Sequence, residues 1–379
     1  MCKSANRRTT RSPLLLFFAI TLLVCVPAEA QQGHADTARN VVLVMTDGLR
    51  WQELFRGADA DLLTPANYYK GRKIEALQQK FLAPTAEQRR RLLMPFVWET
   101  LATQGELYGD RDAGSDMAVT NGFNFSYPGY SETLTGHGDP RIDSNDNKPN
   151  PNQTVLEWLG KQPGFTGSVA AFGAWEVIDG ILNKGRCGCV ANASYEPLTT
   201  PPITPRLALL NTLKAESPHV WDDEVFDAPE FETALEYVTL HHPRVLFVSL
   251  GETDDWAHAG NYGEYLLSAH RADSYLQQLW TKLQGMSEYH GNTALIFTTD
   301  HGRGKDENKG WESHGQKWPE SKYIFAGFLG AGVPSGGLQT NVPPITQSQI
   351  AATLAALLGE DWNTAEPRAG TPIRLDSRR

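Results

Sequence analysis

Continuous hydrophobic runs alternate with stretches of helical periodicity along most of the chain. Apolar, largely β-branched runs predict strands at 40–48, 168–175, 244–255, 292–302 and 322–330. Apolar residues at helical spacing predict helices at 96–105, 153–161, 231–241, 262–283 and 346–359. Buried strands that alternate with helices are typical of a parallel sheet covered on both faces. The pattern therefore predicts an α/β fold with a mostly parallel sheet and helices on both faces.

The first 30 residues have the pattern of a signal peptide. Four basic residues precede "PLLLFFAITLLVCV", an apolar run of about 14 residues, which is short for a membrane span. The small-residue pattern "AEA" at 28–30 then predicts cleavage before Gln31. An uncleaved anchor is the alternative. We expect a periplasmic or secreted protein without a stable membrane span after cleavage.

The charge balance and the lack of repeats limit the class of protein. The chain has 34 Lys and Arg against 44 Asp and Glu, a formal charge of −10, so we expect no nucleic-acid binding. No linker or internal repeat divides residues 31–379, which predicts a single domain. Long connections near 52–95 and 186–230 are predicted to be cap insertions that select the substrate. In an exported chain, a disulfide or free thiols at Cys187 and Cys189 are favoured over a metal site.

Acidic residues and histidines follow the predicted strands. Three strands end near an Asp, two of these ends add a His, and one more His follows in "WESHG". Ligands of α/β sheets bind beyond the carboxyl ends of the strands, where these side chains can converge. A lone Asp after a strand is often only a turn residue, but turns do not require the histidines. The six residues are Asp47, Asp254, His258, Asp300, His301 and His314.

Asp and neutral His are ordinary ligands of zinc and also of manganese. Six such ligands are too many for one tetrahedral ion. They suit two divalent ions about 3.5–4 Å apart, which can hold both the attacking and the leaving oxygen at phosphorus. We therefore predict two metal ions, with zinc favoured and manganese as the alternative.

Several motifs occur in an order that resembles a known family. They are "VVLVMTDGLR", a hydroxyl residue followed ten positions later by the Gly of "LTG", D-x-x-x-H, "TTDHG" and a later "HG". The chain thereby resembles the alkaline phosphatase superfamily, most closely its type I phosphodiesterase/nucleotide pyrophosphatase branch. The resemblance implies an alkaline-phosphatase-like fold. It also implies a metal-dependent hydrolase of phosphate esters that uses a serine nucleophile and a phospho-enzyme intermediate.

The resemblance also implies how the ligands are divided between the two metals. One metal, which also binds the nucleophile, would be held by Asp47, Asp300 and His301. The other would be held by Asp254, His258 and His314.

The nucleophile is expected in "NFSYPGYSETLTGHGDPR" at 124–141, which contains several hydroxyl residues. In the resembled branch a Thr-Gly pair follows the nucleophile by nine and ten residues, and counting back from Thr135 gives Ser126. Pro128 then lies in the first helical turn, where its missing N–H costs nothing. The N-terminus of that helix would also favour a bound phosphate. A helix cap is the alternative role for Ser126. Ser131 is the rival nucleophile, and a phosphomutase would use it.

One further comparison concerns a residue that binds the substrate. An Asn about 21 residues after the nucleophile binds a phosphate oxygen in the resembled branch, which indicates Asn147, with Asn145 almost as well placed. A polar surface loop is the alternative.

Sulfatases carry Arg four residues after the nucleophile, where this chain has Tyr130, which argues against a sulfatase. Unless Lys184 or Arg186 reaches the site, a cationic clamp for a monoester is missing, which favours diesters.

We therefore predict an exported hydrolase of small-molecule phosphate esters, either diesters or monoesters. A phosphomutase of the same superfamily is one alternative. A catalytically silent binding protein on the same fold is the other. The sequence leaves the natural substrate and the oligomeric state undetermined.

Overall fold

The fold is built around a mixed β-sheet. A computed structural model describes residues 37–70, 72–305 and 307–375, together with Met1, so the predicted signal peptide lies almost wholly outside the described residues. The strands are β1 (Asn40–Thr46), β2 (Glu106–Tyr108), β3 (Met117–Ala118), β4 (Val169–Gly173), β5 (Val190–Ala193), β6 (Val245–Leu250), β7 (Thr293–Thr299), β8 (Ala326–Gly330), β9 (Gly337–Leu338) and β10 (Ile345–Thr346). In the described chain, β3 and β10 pair apart from an eight-stranded sheet of order β5-β4-β6-β1-β7-β8-β2-β9.

Helices connect most of these strands. The α-helices are α1 (Trp51–Arg56), α2 (Glu75–Phe81), α3 (Ala86–Leu93), α4 (Ala102–Gln104), α5 (Ser126–Thr135), α6 (Val155–Gly160), α7 (Ile178–Leu182), α8 (Lys184–Cys187), α9 (Pro205–Glu216), α10 (Asp227–His241), α11 (Glu252–His258), α12 (Tyr262–Gln284), α13 (Ile350–Leu357) and α14 (Trp362–Ala365). Short 3₁₀ turns lie at Pro65–Asn67, Arg111–Ala113, Glu307–Glu312, Pro319–Lys322 and Gln347–Gln349. A π-helical turn spans Val97–Leu101 and leads into α4.

The centre of the sheet is parallel. Strand β1 pairs in parallel with β6 on one side and with β7 on the other, and Thr46 is the partner of both Leu250 and Thr299. The carboxyl ends of these three strands are therefore level. Strand β8, expected from the run at 322–330, pairs antiparallel with β7, and β2 pairs antiparallel with β8. The sheet is mostly parallel, as predicted, with an antiparallel flank.

The sheet is buried on both faces. Alternate side chains of β1 enter two separate hydrophobic clusters, with Val42 and Val44 in one and Val41 and Leu43 in the other. The first cluster also takes in the apolar faces of α10 and α12, and the second takes in α5, α6 and α13. A strand covered on both faces needs continuous apolar character, which is why β1 reads as an unbroken run. The predicted α/β class with helices on both faces is confirmed.

Some elements differ from the sequence-based expectation. Strand β5 pairs with β4 at the sheet edge although it lies in the region predicted as a cap insertion, and its four residues are too few to show a clear pattern. The helix expected over 96–105 begins as the π-helical turn, whose first amides are held by the Asp273 carboxylate. Among the described residues, every helix is too short or too polar to span a bilayer.

Candidate metal centre and active site

Three acidic residues meet at the carboxyl ends of the central strands. Asp47 directly follows β1 and Asp300 directly follows β7, while Asp254 lies on α11, four residues beyond the end of β6. Because these strands are neighbours in level register, the side chains that follow them share one edge of the sheet. Gly48 makes the close approach feasible, since a Cβ there would lie 2.5 Å from Asp254 Oδ1.

One half of this cluster consists of Asp47, Asp300 and His301. The Nε2 atom of His301 lies 3.3 Å from Asp47 Oδ1 and 3.3 Å from Asp300 Oδ2. Asp300 Oδ1 accepts hydrogen bonds from the backbone N–H groups of Gly48 and His301. Its buried Oδ2 receives no hydrogen bond from the described residues. A buried carboxylate oxygen without a donor, beside a second carboxylate and an imidazole, fits a divalent cation.

The other half brings Asp254, His258 and His314 together. His258 Nε2 lies 3.1 Å from Asp254 Oδ2 and 2.9 Å from His314 Nε2, and His314 Nε2 lies 3.7 Å from Asp254 Oδ1. His301 stands between the two halves, with its Nε2 atom 3.9 Å from Asp254 Oδ1. The donor atoms that converge most closely here are those of Asp254, His301 and His314, and one carboxylate with two imidazoles also fits zinc or manganese. All six residues predicted as ligands thus lie in one contiguous cluster.

The cluster is electrostatically unbalanced without a cation. Burial, together with the charge of Asp47, raises the pKa of Asp300 well above its ordinary value. Burial and the charge of Asp254 likewise raise the pKa of Asp47. Burial opposes the charge of His301, but Asp300 and Asp47 outweigh it and raise the pKa of His301 to about 9. Bound divalent cations would remove this repulsion.

Ser126 lies beside the cluster at the start of α5. Its Oγ atom is 3.4 Å from Asp47 Oδ1 and 3.3 Å from His301 Nε2. Helix α5 can approach the end of β7 because residue 129 is glycine, where a Cβ would lie only 2.4 Å from the Asp300 carbonyl oxygen. The "SYPG" sequence thus brings the first residue of the helix to the strand-end acids.

The start of α5 leaves the Ser126 hydroxyl free of a capping role. The N-cap residue is Phe125, whose side chain makes no cap hydrogen bond. The N–H of Tyr127 instead donates to Asn145 Oδ1 at 2.9 Å, so Asn145 caps the helix from a distant loop. Pro128 occupies the third helical position, where a backbone N–H would have no acceptor within the helix, so proline loses no hydrogen bond there. The alternative that Ser126 itself caps the helix is therefore wrong.

The other Ser and Thr side chains of this stretch, at 131, 133 and 135, are buried. Ser131 Oγ accepts a hydrogen bond from Asn150 Nδ2 at 3.0 Å, and Thr135 Oγ1 donates to the Ser131 carbonyl oxygen at 2.7 Å. Thr133 is fully buried. The first contact joins α5 to the loop that carries Asn150, and the second lies within α5, so the rival hydroxyl Ser131 has a structural partner.

The two Asn candidates differ in position. Asn145 contacts the amide directly after Ser126, whereas Asn147 Nδ2 donates to the Glu176 carbonyl oxygen at 3.4 Å. Both side chains are exposed. The geometry therefore places Asn145, the second choice from spacing, nearer to the nucleophile helix than Asn147.

The cations considered for a phosphate clamp are held elsewhere. Lys184 contacts Asp179 at 3.0 Å and also pairs with Glu196. Arg186 binds the Glu157 carboxylate through its Nε atom, 2.9 Å from Oε2. Nearby, Cys187 and Cys189 form a disulfide.

Two buried residues at the site were not singled out from the sequence. Arg303, two residues after His301, contacts Asp254. Glu132, within α5, accepts hydrogen bonds from the backbone N–H groups of Thr120 and Asn121 and so holds the loop before Ser126. A charged residue next to a ligand motif was the available signal for Arg303. Glu132 gave no signal, because acids are common on helices.

The sheet order and the strand-end cluster define an alkaline-phosphatase-like fold, which confirms the fold predicted from the sequence motifs. The structure resembles that of the alkaline phosphatase PafA, with a TM-score of 0.57, 12% identity and coverage of 89% of this chain and 98% of that one. It also resembles the phosphonate monoester hydrolase SpPMH from Silicibacter pomeroyi, with a TM-score of 0.53, 12% identity and coverage of 88% and 76%.

A third similar structure is a 2-O GAG sulfatase, with a TM-score of 0.50, 14% identity and coverage of 89% of this chain and 73% of that one. These three structures are a phosphatase, a phosphonate monoester hydrolase and a sulfatase, so they do not point specifically to the type I phosphodiesterase branch. No protein-family model and no curated protein sequence matches the chain.

Proposed function

We propose that this protein is an exported hydrolase of small-molecule phosphate esters that depends on two divalent metal ions. The observation that carries the proposal is the position of Ser126, whose Oγ lies 3.4 Å from Asp47 Oδ1 and 3.3 Å from His301 Nε2. Ser126, whose hydroxyl contacts the strand-end cluster, is also the residue that the motif spacing indicates. Export rests on the signal-peptide pattern of residues 1–30.

The chemistry follows from the residues around Ser126. Divalent cations held by Asp47, Asp300 and His301, and by Asp254, His258 and His314, supply Lewis acidity at phosphorus and offset the developing negative charge. The Ser126 hydroxyl releases its proton to solvent as its Oγ atom attacks phosphorus, the ester P–O bond breaks, and the departing oxygen takes up a proton from solvent. Water then cleaves the phosphoserine, which restores the hydroxyl and releases the phosphoryl group.

Asn145 is proposed to position Ser126 and to assist phosphate binding. Its Oδ1 atom is used by the Tyr127 N–H, so its Nδ2 group is the part that can donate to a phosphoryl oxygen. Fixing the amide that follows Ser126 also fixes the direction of the hydroxyl.

Phosphodiesters are the proposed preference over monoesters. Monoesters carry two negative charges, and the two cations considered for a clamp are occupied by acids, Lys184 by Asp179 and Arg186 by Glu157. The Arg residue expected four positions after a sulfatase nucleophile is replaced by Tyr130, whose hydroxyl carries no positive charge and accepts a hydrogen bond from Ser249. We therefore propose phosphate rather than sulfate esters.

The test is a comparison of initial rates on nitrophenyl esters. Purified mature protein would be assayed on a phosphate monoester, a phosphodiester and a sulfate ester, each with added zinc, with added manganese and with a chelator. We expect metal-dependent hydrolysis, fastest on the phosphodiester. Faster hydrolysis of the sulfate ester would contradict the proposal. Stoichiometric metal binding without any turnover would instead support a silent binding protein.

A further inference from the structure

The buried guanidinium of Arg303 joins the loops that follow the three central strands. Arg303 is 1% exposed. Its Nε atom donates to the Gly48 carbonyl oxygen at 3.2 Å, and its Nη2 atom donates to the Asp254 carbonyl oxygen at 3.0 Å. Nη2 also contacts the Asp254 carboxylate oxygen Oδ1. Since Arg303 itself follows β7, one side chain links the ends of β1, β6 and β7.

This contact gives the two oxygens of Asp254 different roles. Oδ1 is bound by Arg303, whereas Oδ2 lies 3.1 Å from His258 Nε2. His258 Nε2 in turn lies 2.9 Å from His314 Nε2. Of the two imidazoles, His258 faces Oδ2, whereas His314 Nε2 lies 3.7 Å from Oδ1, the oxygen that Arg303 holds.

The two halves of the cluster consequently carry different charge. The half formed by Asp47, Asp300 and His301 has two buried carboxylates. Among its three predicted ligands, the half around Asp254 has one carboxylate, and the permanently charged guanidinium of Arg303 touches it. In a buried site a fixed positive charge a few ångströms from a dication is only partly screened, so it lowers the affinity for that ion.

We propose that Arg303 makes the two metal sites unequal, so that the Asp254–His258–His314 site binds its divalent cation more weakly and loads second. This inference rests on the proposed two-metal function. Arg303 acts here as a positioning residue, since it orients Asp254 and offsets its charge. The weaker site would lie next to exposed His258, whose side chain is 46% exposed, so this ion can exchange with solvent.

The experiment is a calorimetric titration of the metal-free protein with zinc alone, repeated with manganese. We expect two binding steps whose dissociation constants differ by at least about tenfold. Asp300→Asn is expected to weaken the tighter step, and His258→Ala the weaker step, which assigns each step to a site. Arg303→Met is expected to tighten the weaker step by about tenfold or more and to leave the tighter step within about threefold.

Two further variants separate the effect of the Arg303 charge on metal binding from an effect on folding. Arg303→Lys keeps the positive charge, so both constants should stay within about threefold of wild type. Arg303→Gln removes the charge but can still donate to the Gly48 carbonyl oxygen, and it replaces Arg303→Met if circular dichroism shows that the latter is unfolded. Unchanged or weakened binding at the second step in the uncharged variant would overturn the inference. Wild-type protein that binds no metal would instead contradict the proposed function itself.

Discussion

The Oδ1 atom of Asn145 accepts a hydrogen bond from the backbone N–H of Tyr127, at 2.9 Å, directly after the proposed nucleophile. A side chain from a loop 18 residues away thereby performs the capping role that the N-cap residue Phe125 does not. The arrangement leaves Ser126 free to face Asp47 and His301.

Asn145→Ala should therefore impair both the placement of Ser126 and phosphate binding. We expect kcat/KM for the preferred ester to fall about 10- to 100-fold, since one preorganised donor is lost. Asn147→Ala is the matched control, because Asn147 lies in the same loop and contacts the Glu176 carbonyl instead. A large loss in Asn147→Ala with little effect in Asn145→Ala would reverse this assignment.

Ser126→Ala should abolish turnover without removing the metal sites. The variant lacks the attacking oxygen, so kcat is expected to fall by about a thousandfold or more. Metal content per protein, measured by elemental analysis, should match that of wild type, because the six proposed Asp and His ligands are intact. Ser131→Ala is the control and should retain turnover. The opposite pattern, with Ser131 essential and Ser126 dispensable, would favour the phosphomutase alternative.

Asp300→Asn should change the response of stability to metal. In the metal-free wild type, the Asp300 carboxylate repels Asp47 and its burial costs free energy. The neutral amide of the variant removes this cost, and its oxygen can still accept hydrogen bonds from the N–H groups of Gly48 and His301. We expect the metal-free variant to unfold at a higher temperature than metal-free wild type. Added zinc should stabilise wild type more than the variant, because folded wild type binds zinc more tightly and binding favours the folded state. Thermal unfolding with chelator and with zinc measures both effects.

Asp273 should make stability depend on pH through a carboxylate that is not among the six predicted metal ligands. Burial raises the pKa of Asp273 to about 7, despite the two backbone N–H groups of Phe96 and Val97 that it accepts. The folded protein therefore holds a proton that the unfolded chain releases near the ordinary Asp pKa of about 4. The stabilisation that this bound proton adds to the folded state is complete below the unfolded pKa and is lost as pH rises through about 7.

The measurement is the free energy of unfolding in urea at pH 5 and pH 8. Relative to Asp273→Asn, wild type should lose on the order of 2–3 kcal/mol between these values. Asp116→Asn, a change at a half-exposed carboxylate that pairs with Arg111, is the control for replacing an acid while Asp273 is kept. A gap between wild type and Asp273→Asn that stays constant with pH would show that Asp273 remains ionised in the folded protein.

The sequence allowed the central part of the fold to be predicted because burial on both faces leaves a strong pattern. Strands β1, β4, β6 and β7 are continuous apolar runs, and each was expected within a few residues of its observed bounds. Strands β2 and β5 were missed, since three or four residues carry too little pattern. The direction of β8 was also not predictable, because a buried apolar strand has the same sequence pattern whether it pairs in parallel or antiparallel.

The amino-acid pattern alone predicted the chemical types at the strand ends and the order of the motifs, because apolar runs and the acids that follow them are local properties. The family resemblance of those motifs then indicated Ser126 at the start of a helix. Which groups touch depends on the folded chain. Asn145 rather than Asn147 meets the nucleophile helix, and Arg303 binds Asp254. Such contacts join residues 18 or 49 positions apart, and their partners are fixed by packing of the whole sheet.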